Sequence, residues 1–306
     1  MIIFFIDYTL LESDIMKKIL FKGCGTAIAT PFTDNGVNLK EFEKLVEFQI
    51  QNNVDAIIVC GTTGESSTMT EDEKKDLITC AVKTSAKRVP IIVGTGSNNT
   101  KQAIKNSILA EQLGADGLLV VTPYYNKCTQ AGLIEHYKAI ASSVSLPIIL
   151  YSVSSRTGVN IEPKTCLELS NVDNIVAIKE ASGNISQIAE ISRLCGDNLY
   201  IYSGNDDQTI PILSLGGLGV ISVLSNVKPK FVHEMVSNYL DGNIEKARDM
   251  QLESIPLIKA LFCETNPIPV KAALNMIGYD FGIPRLPLTE MTEKNKEMLN
   301  NLLLKL

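Results

Sequence analysis

A lysine at the end of an apolar run is the residue in this sequence with the most chemistry to offer. Lys179 closes Ile175-Val176-Ala177-Ile178. Its stem leaves surroundings that strip water from an ammonium and favour the neutral amine. A neutral lysine near pH 7 is a nucleophile that can attack a ketone and form an imine. The plain alternative is a lysine whose stem runs past the strand and carries its charge into water. Tyr151 ends another apolar run, Pro147-Ile148-Ile149-Leu150. A phenol there can pass protons while a carbinolamine forms and dehydrates. A packed aromatic with a satisfied hydroxyl is the competing reading.

Gly61-Thr62-Thr63-Gly64-Glu65-Ser66 offers two hydroxyls between glycines. Glycine lets the backbone approach a ligand, and the flanking N–H groups can hold a small carboxylate; an ordinary Gly-Thr turn would look the same. Gly94-Thr95-Gly96 reads as a strand end, not a phosphate cradle. Arg156 follows Tyr151 in Ser152-Val153-Ser154-Ser155-Arg156. Its guanidinium suits bidentate capture of a second carboxylate, with a plain surface arginine as the alternative.

Other chemistries are poorly supplied. Two histidines, His136 and His233, are too few for a histidine-built metal centre, and they weaken any serine–histidine or cysteine–histidine nucleophile. The seven cysteines are scattered, odd in number and never in C-x-x-C spacing, so neither a disulfide framework nor a zinc site is indicated. A reducing, cytoplasmic setting fits them. A net charge of -6 provides no basic field for nucleic acid. The apolar start Met1–Ile6 is interrupted by Asp7 and lacks a basic lead, wrong for a membrane span or a secretory signal. Residues 1–15 read as an extension, with Met16 as a second possible start.

The elements that must position these groups form a repeating pattern. Short Ile/Val-rich runs occur at Thr26–Phe32, Ala56–Gly61, Pro90–Gly96, Gly117–Tyr125, Pro147–Val153, Ile175–Ala181, Tyr200–Gly204 and Gly219–Val223. They show little polar alternation, as strands buried on both faces do. Amphipathic stretches such as Lys40–Gln51, Glu71–Lys87, Lys101–Leu113, Ala131–Ser143 and Ile185–Leu194 separate them. Thr70 and Glu73 form a candidate capping box, and Pro163 a helix start. Eight units of roughly 25 residues fit a (β/α)8 barrel. A doubly wound sheet would call for G-x-G-x-x-G after the first strand, which is missing. The expected layout is a barrel over residues 16–228 and a helical C-terminal region over 229–306. In a barrel, chemistry sits at the C-terminal ends of strands. Those ends present Thr62-Thr63, Tyr124-Tyr125, Tyr151, Lys179, Gly204 and Ile221-Ser222.

Together these residues resemble the pyruvate-dependent class I aldolase family of dihydrodipicolinate synthase and N-acetylneuraminate lyase, over nearly the whole chain from about Phe21. The Gly61–Ser66 loop resembles the family's pyruvate-carboxylate loop. Tyr151, followed 28 residues later by Lys179 in Ile178-Lys179-Glu180-Ala181, resembles its relay tyrosine and Schiff-base lysine. The dihydrodipicolinate synthase branch is the most similar, through Val121–Asn126, Ser155–Gly158 and Asn266–Lys271. By that resemblance Thr62, Tyr125 and Tyr151 form a proton relay, with Tyr125 reaching in from a neighbouring subunit of a dimer or tetramer. Thr63 would hold the carboxylate of pyruvate and Arg156 that of L-aspartate 4-semialdehyde. Gly204 and Ile221 would line the pocket through backbone carbonyls. No metal or organic cofactor is implied, since the protonated imine is the electron sink.

The chain departs from the family where Asn-Val-Pro usually follows the tyrosine. Ser152-Val153-Ser154 removes proline's φ restriction and loosens the expected hold on Arg156. Lysine-inhibited bacterial members resemble it around Ser66, Asn98 and Tyr124. Where they carry two histidines it has Glu71 and Lys74, and where they carry a glutamate it has Gln102, so weak or absent inhibition by L-lysine is expected. Two further readings stay open. One is the same lysine chemistry on a sugar acid, as in the N-acetylneuraminate or 2-keto-3-deoxygluconate branches. The other is a non-catalytic barrel that binds a keto acid.

Overall fold

The computed structural model describes residues 17–304, so the expectation for residues 1–15 lies outside it. Eight parallel strands close into a barrel: β1 (Gly23–Ala27), β2 (Ala56–Val59), β3 (Ile91–Gly94), β4 (Gly117–Val121), β5 (Ile148–Ser152), β6 (Ile175–Glu180), β7 (Tyr200–Ser203) and β8 (Gly219–Ser222). Each pairs with its neighbours in sequence, and β8 returns to β1. A helix follows every strand: α1 (Leu39–Gln51), α2 (Glu71–Ser85), α3 (Thr100–Gln112), α4 (Gln130–Ala141), α5 (Pro163–Leu169), α6 (Ile185–Cys195), α7 (Thr209–Leu213) and α8 (Pro229–Leu240). The (β/α)8 reading is borne out. Three more helices follow, α9 (Ile244–Leu261), α10 (Ile268–Met276) and α11 (Glu293–Leu303), with α9 against α8 and α11 against both α9 and α10. Among the described residues no helix is long and apolar enough to cross a membrane.

The uninterrupted apolar runs arise because both faces of each strand are covered. Ile57, Val93, Leu118, Leu150, Ile178 and Ile201 pack outward under the helices. Ile58, Ile92, Leu119, Ile149, Ala177 and Tyr202 fill the barrel's interior. At its floor Phe21 stacks on Tyr202, ring centroids 4.3 Å apart, and the Tyr202 hydroxyl donates to the Phe21 carbonyl. A side chain at Gly25 would collide with the Phe21 ring and Ile58, so glycine there makes room for this plug.

The first strand corrects the sequence reading. It spans Gly23–Ala27, not Thr26–Phe32; Phe32–Thr33 instead pairs with Gly36–Val37 in a small antiparallel ribbon. β1 and β8 approach so closely that a Cβ on Gly219 would lie 1.9 Å from the Gly23 carbonyl oxygen. The strand is therefore built from small residues that no apolar-run search detects. The capping box is formed: Thr70 Oγ1 accepts from the Glu73 N–H, and Glu73 accepts from the Thr70 N–H.

Candidate active site

Lys179 and Tyr151 are register partners on β6 and β5. A bulge puts them there. Between Ile175 and Ala177 the pairing with β5 shifts by one residue, and Val176 and Ala177 both belong to the inner cluster. The two-residue alternation restarts after it, sending Ile178 outward and Lys179 inward. Re-aiming a side chain beside a site is a recognised use of such bulges. Lys179 is only 5 % exposed, and its Nζ lies 4.4 Å from the centre of the buried Tyr151 ring. The neighbouring acid, Glu180, faces the other way and is engaged by the Ser182 N–H and the Gln187 side chain, so it is no counter-ion for the amine.

Lys179 and Tyr151 line a cavity of about 220 Å³ at the barrel's C-terminal mouth, together with Thr62, Thr63, Arg156 and Gly204. Ile58 and Leu119 give it an apolar floor. Short-range bonds shape the threonine loop: the Gly64 N–H donates to the Gly61 carbonyl, the Glu65 N–H to that of Thr62, and Thr30 Oγ1 to that of Gly64. Gly204 is needed for space, because a Cβ would sit 2.6 Å from that of Ala181.

Arg156 rides on one helical turn, Ser154–Thr157, closed by Gly158 at φ +71°. The turn forms without proline. The Thr157 and Gly158 N–H groups donate to the Val153 and Ser154 carbonyls, and Thr122 Oγ1 donates to Thr157 Oγ1. Arg156 Nη2 donates to the main-chain oxygen of Asn266 at 3.2 Å, and Asn266 Nδ2 donates to Thr63 Oγ1 at 3.0 Å. The link between α9 and α10 therefore forms part of the wall.

A buried ion pair fastens α10 to the loop. Lys271 Nζ donates to Glu65 Oε1 at 2.9 Å and to the Ile283 carbonyl, and it lies 4.3 Å from the Phe32 ring centre. Glu65 Oε2 accepts the Arg285 N–H. The Arg285 guanidinium caps the same ring and holds the Glu73 carboxyl down at about 2. Burial lowers the Lys271 ammonium from its ordinary value, against the pull of Glu65.

The Dihydrodipicolinate synthetase family profile matches residues 20–306. The chain belongs to this family. It is 58% identical over 287 residues to the 4-hydroxy-tetrahydrodipicolinate synthase of Thermoanaerobacter sp. (strain X514), covering 94% of this chain and 97% of the relative. The crystal structure of dihydrodipicolinate synthase from Thermotoga maritima superimposes with a TM-score of 0.92 at 47% identity, over 94% of this chain and 99% of the other. A structure described as the first monomeric dihydrodipicolinate synthase variant gives the same TM-score and identity, over 94% and 97%.

Two residues expected from the synthase family resemblance stand apart from the cavity. Tyr125 is 90 % exposed at φ +72°, a costly backbone for an aromatic residue, and does not reach Lys179 within this chain. Ile221 lies in the inner apolar cluster; Val223, two residues on, is the wall residue at that strand's end. Asp206 went unsingled in the sequence, and Glu65, Asn266 and Lys271 stood there only within motifs, without a role of their own. Asp206 is fully buried and accepts from the Ser222 hydroxyl and the Val223 and Leu224 N–H groups, which shapes the turn after β8. Burial raises its carboxyl from the ordinary value; those bonds and the charge of Lys179 oppose the rise. Its signal was an acid two residues beyond Gly204, at a strand's C-terminal end. Among the described residues no three His, Cys, Asp or Glu side chains cluster as a metal site requires.

A second cavity of about 500 Å³ adjoins Arg156, lined by Ser66, Glu71, Lys74, Gln102 and Tyr124. The Glu71 carboxylate is occupied by Lys105 Nζ at 2.7 and 2.8 Å, and Gln102 Nε2 donates to Asn106 Oδ1.

Proposed function

We propose that this chain condenses pyruvate with L-aspartate 4-semialdehyde to give 4-hydroxy-tetrahydrodipicolinate, a lyase of the route to diaminopimelate and lysine, through an imine on Lys179. The observation that carries the reading is the Lys179 amine, buried at the barrel mouth over the ring of Tyr151. The amine attacks C2 of pyruvate, the carbinolamine loses water, and the imine loses a C3 proton to become an enamine. The enamine carbon adds to the aldehyde. The amino group of the second substrate then attacks the imine carbon, closing the ring and releasing Lys179. Thr62, Tyr125 and Tyr151 carry protons; Thr63 holds the carboxylate of pyruvate, with Gly204 bounding that end. Such chemistry calls for no metal or organic cofactor. We place the protein in the cytoplasm, a reading supported by its seven unpaired thiols. A coupled assay with both substrates and the reductase that consumes the product tests the reading; turnover of a sugar acid instead would replace it.

Arg156 reaches the same cavity from another wall. Arg156→Ala should raise KM for the semialdehyde by about 1.5–3 kcal/mol in apparent binding, with little effect on KM for pyruvate. Equal effects on both substrates would assign Arg156 a different task.

Tyr125, exposed in the single chain, is placed by this reading in a neighbour's site within a dimer or tetramer. Mixing Tyr125→Phe with Lys179→Ala should then restore part of the activity, because some sites receive both intact residues. Absence of rescue after proven subunit exchange counts against a shared site.

We expect the second cavity to bind L-lysine weakly. Glu71 is already paired, Gln102 offers a neutral acceptor in place of a charged one, and Lys74 adds a like charge. Half-inhibition by lysine below about 1 mM, roughly -4 kcal/mol of binding, would overturn this.

A further inference from the structure

We propose that Asn266 is a positioning residue that makes the Thr63 hydroxyl a donor toward the carboxylate of pyruvate and ties Thr63 to Arg156; this rests on the roles given to those two residues above. Asn266 is 5 % exposed and lines the cavity. Its Nδ2 donates to Thr63 Oγ1, and its main-chain oxygen accepts from Arg156 Nη2. One residue thus contacts the side chains assigned to the two substrate carboxylates.

A threonine hydroxyl has one proton to give and lone pairs to receive. With an amide N–H on a lone pair, the Thr63 proton is left for another acceptor, and a carboxylate is the strongest available. Were an acceptor to face Thr63, that proton would turn away from the substrate. The amide orientation has its own support. Among the described residues Asn266 Oδ1 is buried without a hydrogen-bond partner. Exchanging the amide's O and N would strand a two-donor NH₂ group there, whereas an under-satisfied carbonyl oxygen is the more tolerable orphan. Asn266 accordingly sits at a cost to stability that an apolar residue would not carry.

These points predict opposite rankings for two substitutions. Asn266→Asp keeps the shape but presents only acceptors near neutral pH. KM for pyruvate should rise at least about tenfold. Relative to the parent protein, that loss should shrink as pH falls, because a protonated carboxyl recovers a donor. Asn266→Leu removes the donor without adding an acceptor. Its KM for pyruvate should rise only about two- to fivefold, with Tm unchanged or higher. In a Thr63→Val background neither substitution should add its full effect on pyruvate. The parent protein is first assayed for turnover, and Thr63→Val alone for its KM. If either fails to behave as assigned, the functional reading is at fault and not the role of Asn266. If both hold, the inference is overturned by leucine being as harmful as aspartate, by Tm falling together with activity in both variants, or by full additivity with Thr63→Val.

Discussion

Borohydride added together with pyruvate should inactivate the protein and leave a pyruvate-derived mass on the peptide containing Lys179. The imine is the species that borohydride reduces, and it forms only where an uncharged amine meets the keto carbon. Lys179 is the lysine whose amine reaches the cavity, over Tyr151 and above an apolar floor. Lys271, the other deeply buried lysine among the described residues, is held by Glu65 and the Ile283 carbonyl. Lys179→Ala should abolish the label and reduce kcat by roughly three orders of magnitude or more. Peptide mapping after reduction is the direct measurement. A label on another lysine, or none, would remove the mechanism while leaving the fold assignment intact.

Lys271→Ala should produce the largest loss of stability. The ammonium and the Glu65 carboxylate are both withdrawn from water, and deleting one leaves the other charged, buried and short of partners. Breaking such a pair typically costs about 3–5 kcal/mol, which for a chain of this size is a fall in Tm on the order of 10 °C. Glu65 immediately follows Thr62-Thr63-Gly64, so the cost should also appear at the active site as a higher KM for pyruvate. Calorimetry of Lys271→Met, Glu65→Leu and the double variant separates the causes. If the unpaired charge is responsible, the double variant recovers much of what either single one loses. Equal damage in all three would point to packing.

How far these results could be foreseen depends on what kind of interaction carries each part. The barrel was legible because covered strands must be apolar on both faces, and seven of the eight runs mark a strand directly. β1 was misplaced because close approach of two backbones selects glycine, and glycine carries no hydropathy signal. α7 escaped notice because five residues around Pro211 are too few to show a helical period. Lys179, Tyr151, Thr62 and Thr63 stood out because reactive groups at strand ends are unusual, and Arg156 as a cation five residues beyond one of them. Asn266 and Lys271 were visible only as the ends of a motif and not by role, since their importance comes from contacts with Thr63 and Glu65, about two hundred residues away in the chain. Tyr125 was given its role by resemblance alone, and within one chain it is exposed and apart from the cavity.

The extra residue in β6 has a consequence for which changes the gene can absorb. On a strand, side-chain direction is counted in twos, and Val176 resets that count just before the nucleophile. Drawing Val176 into regular pairing opposite Ile149 would leave eight strands and most of their ladder bonds in place. The lysine would nonetheless point at the surrounding helices, and the adjacent acid would take its place in the cavity. Loss of the Val176 codon does the opposite: Ile175 stays outward, Ala177 keeps the inward place beside Ile149, and Lys179 keeps its direction. Working descendants should therefore be able to lose this one residue, but not to keep it and pair it regularly.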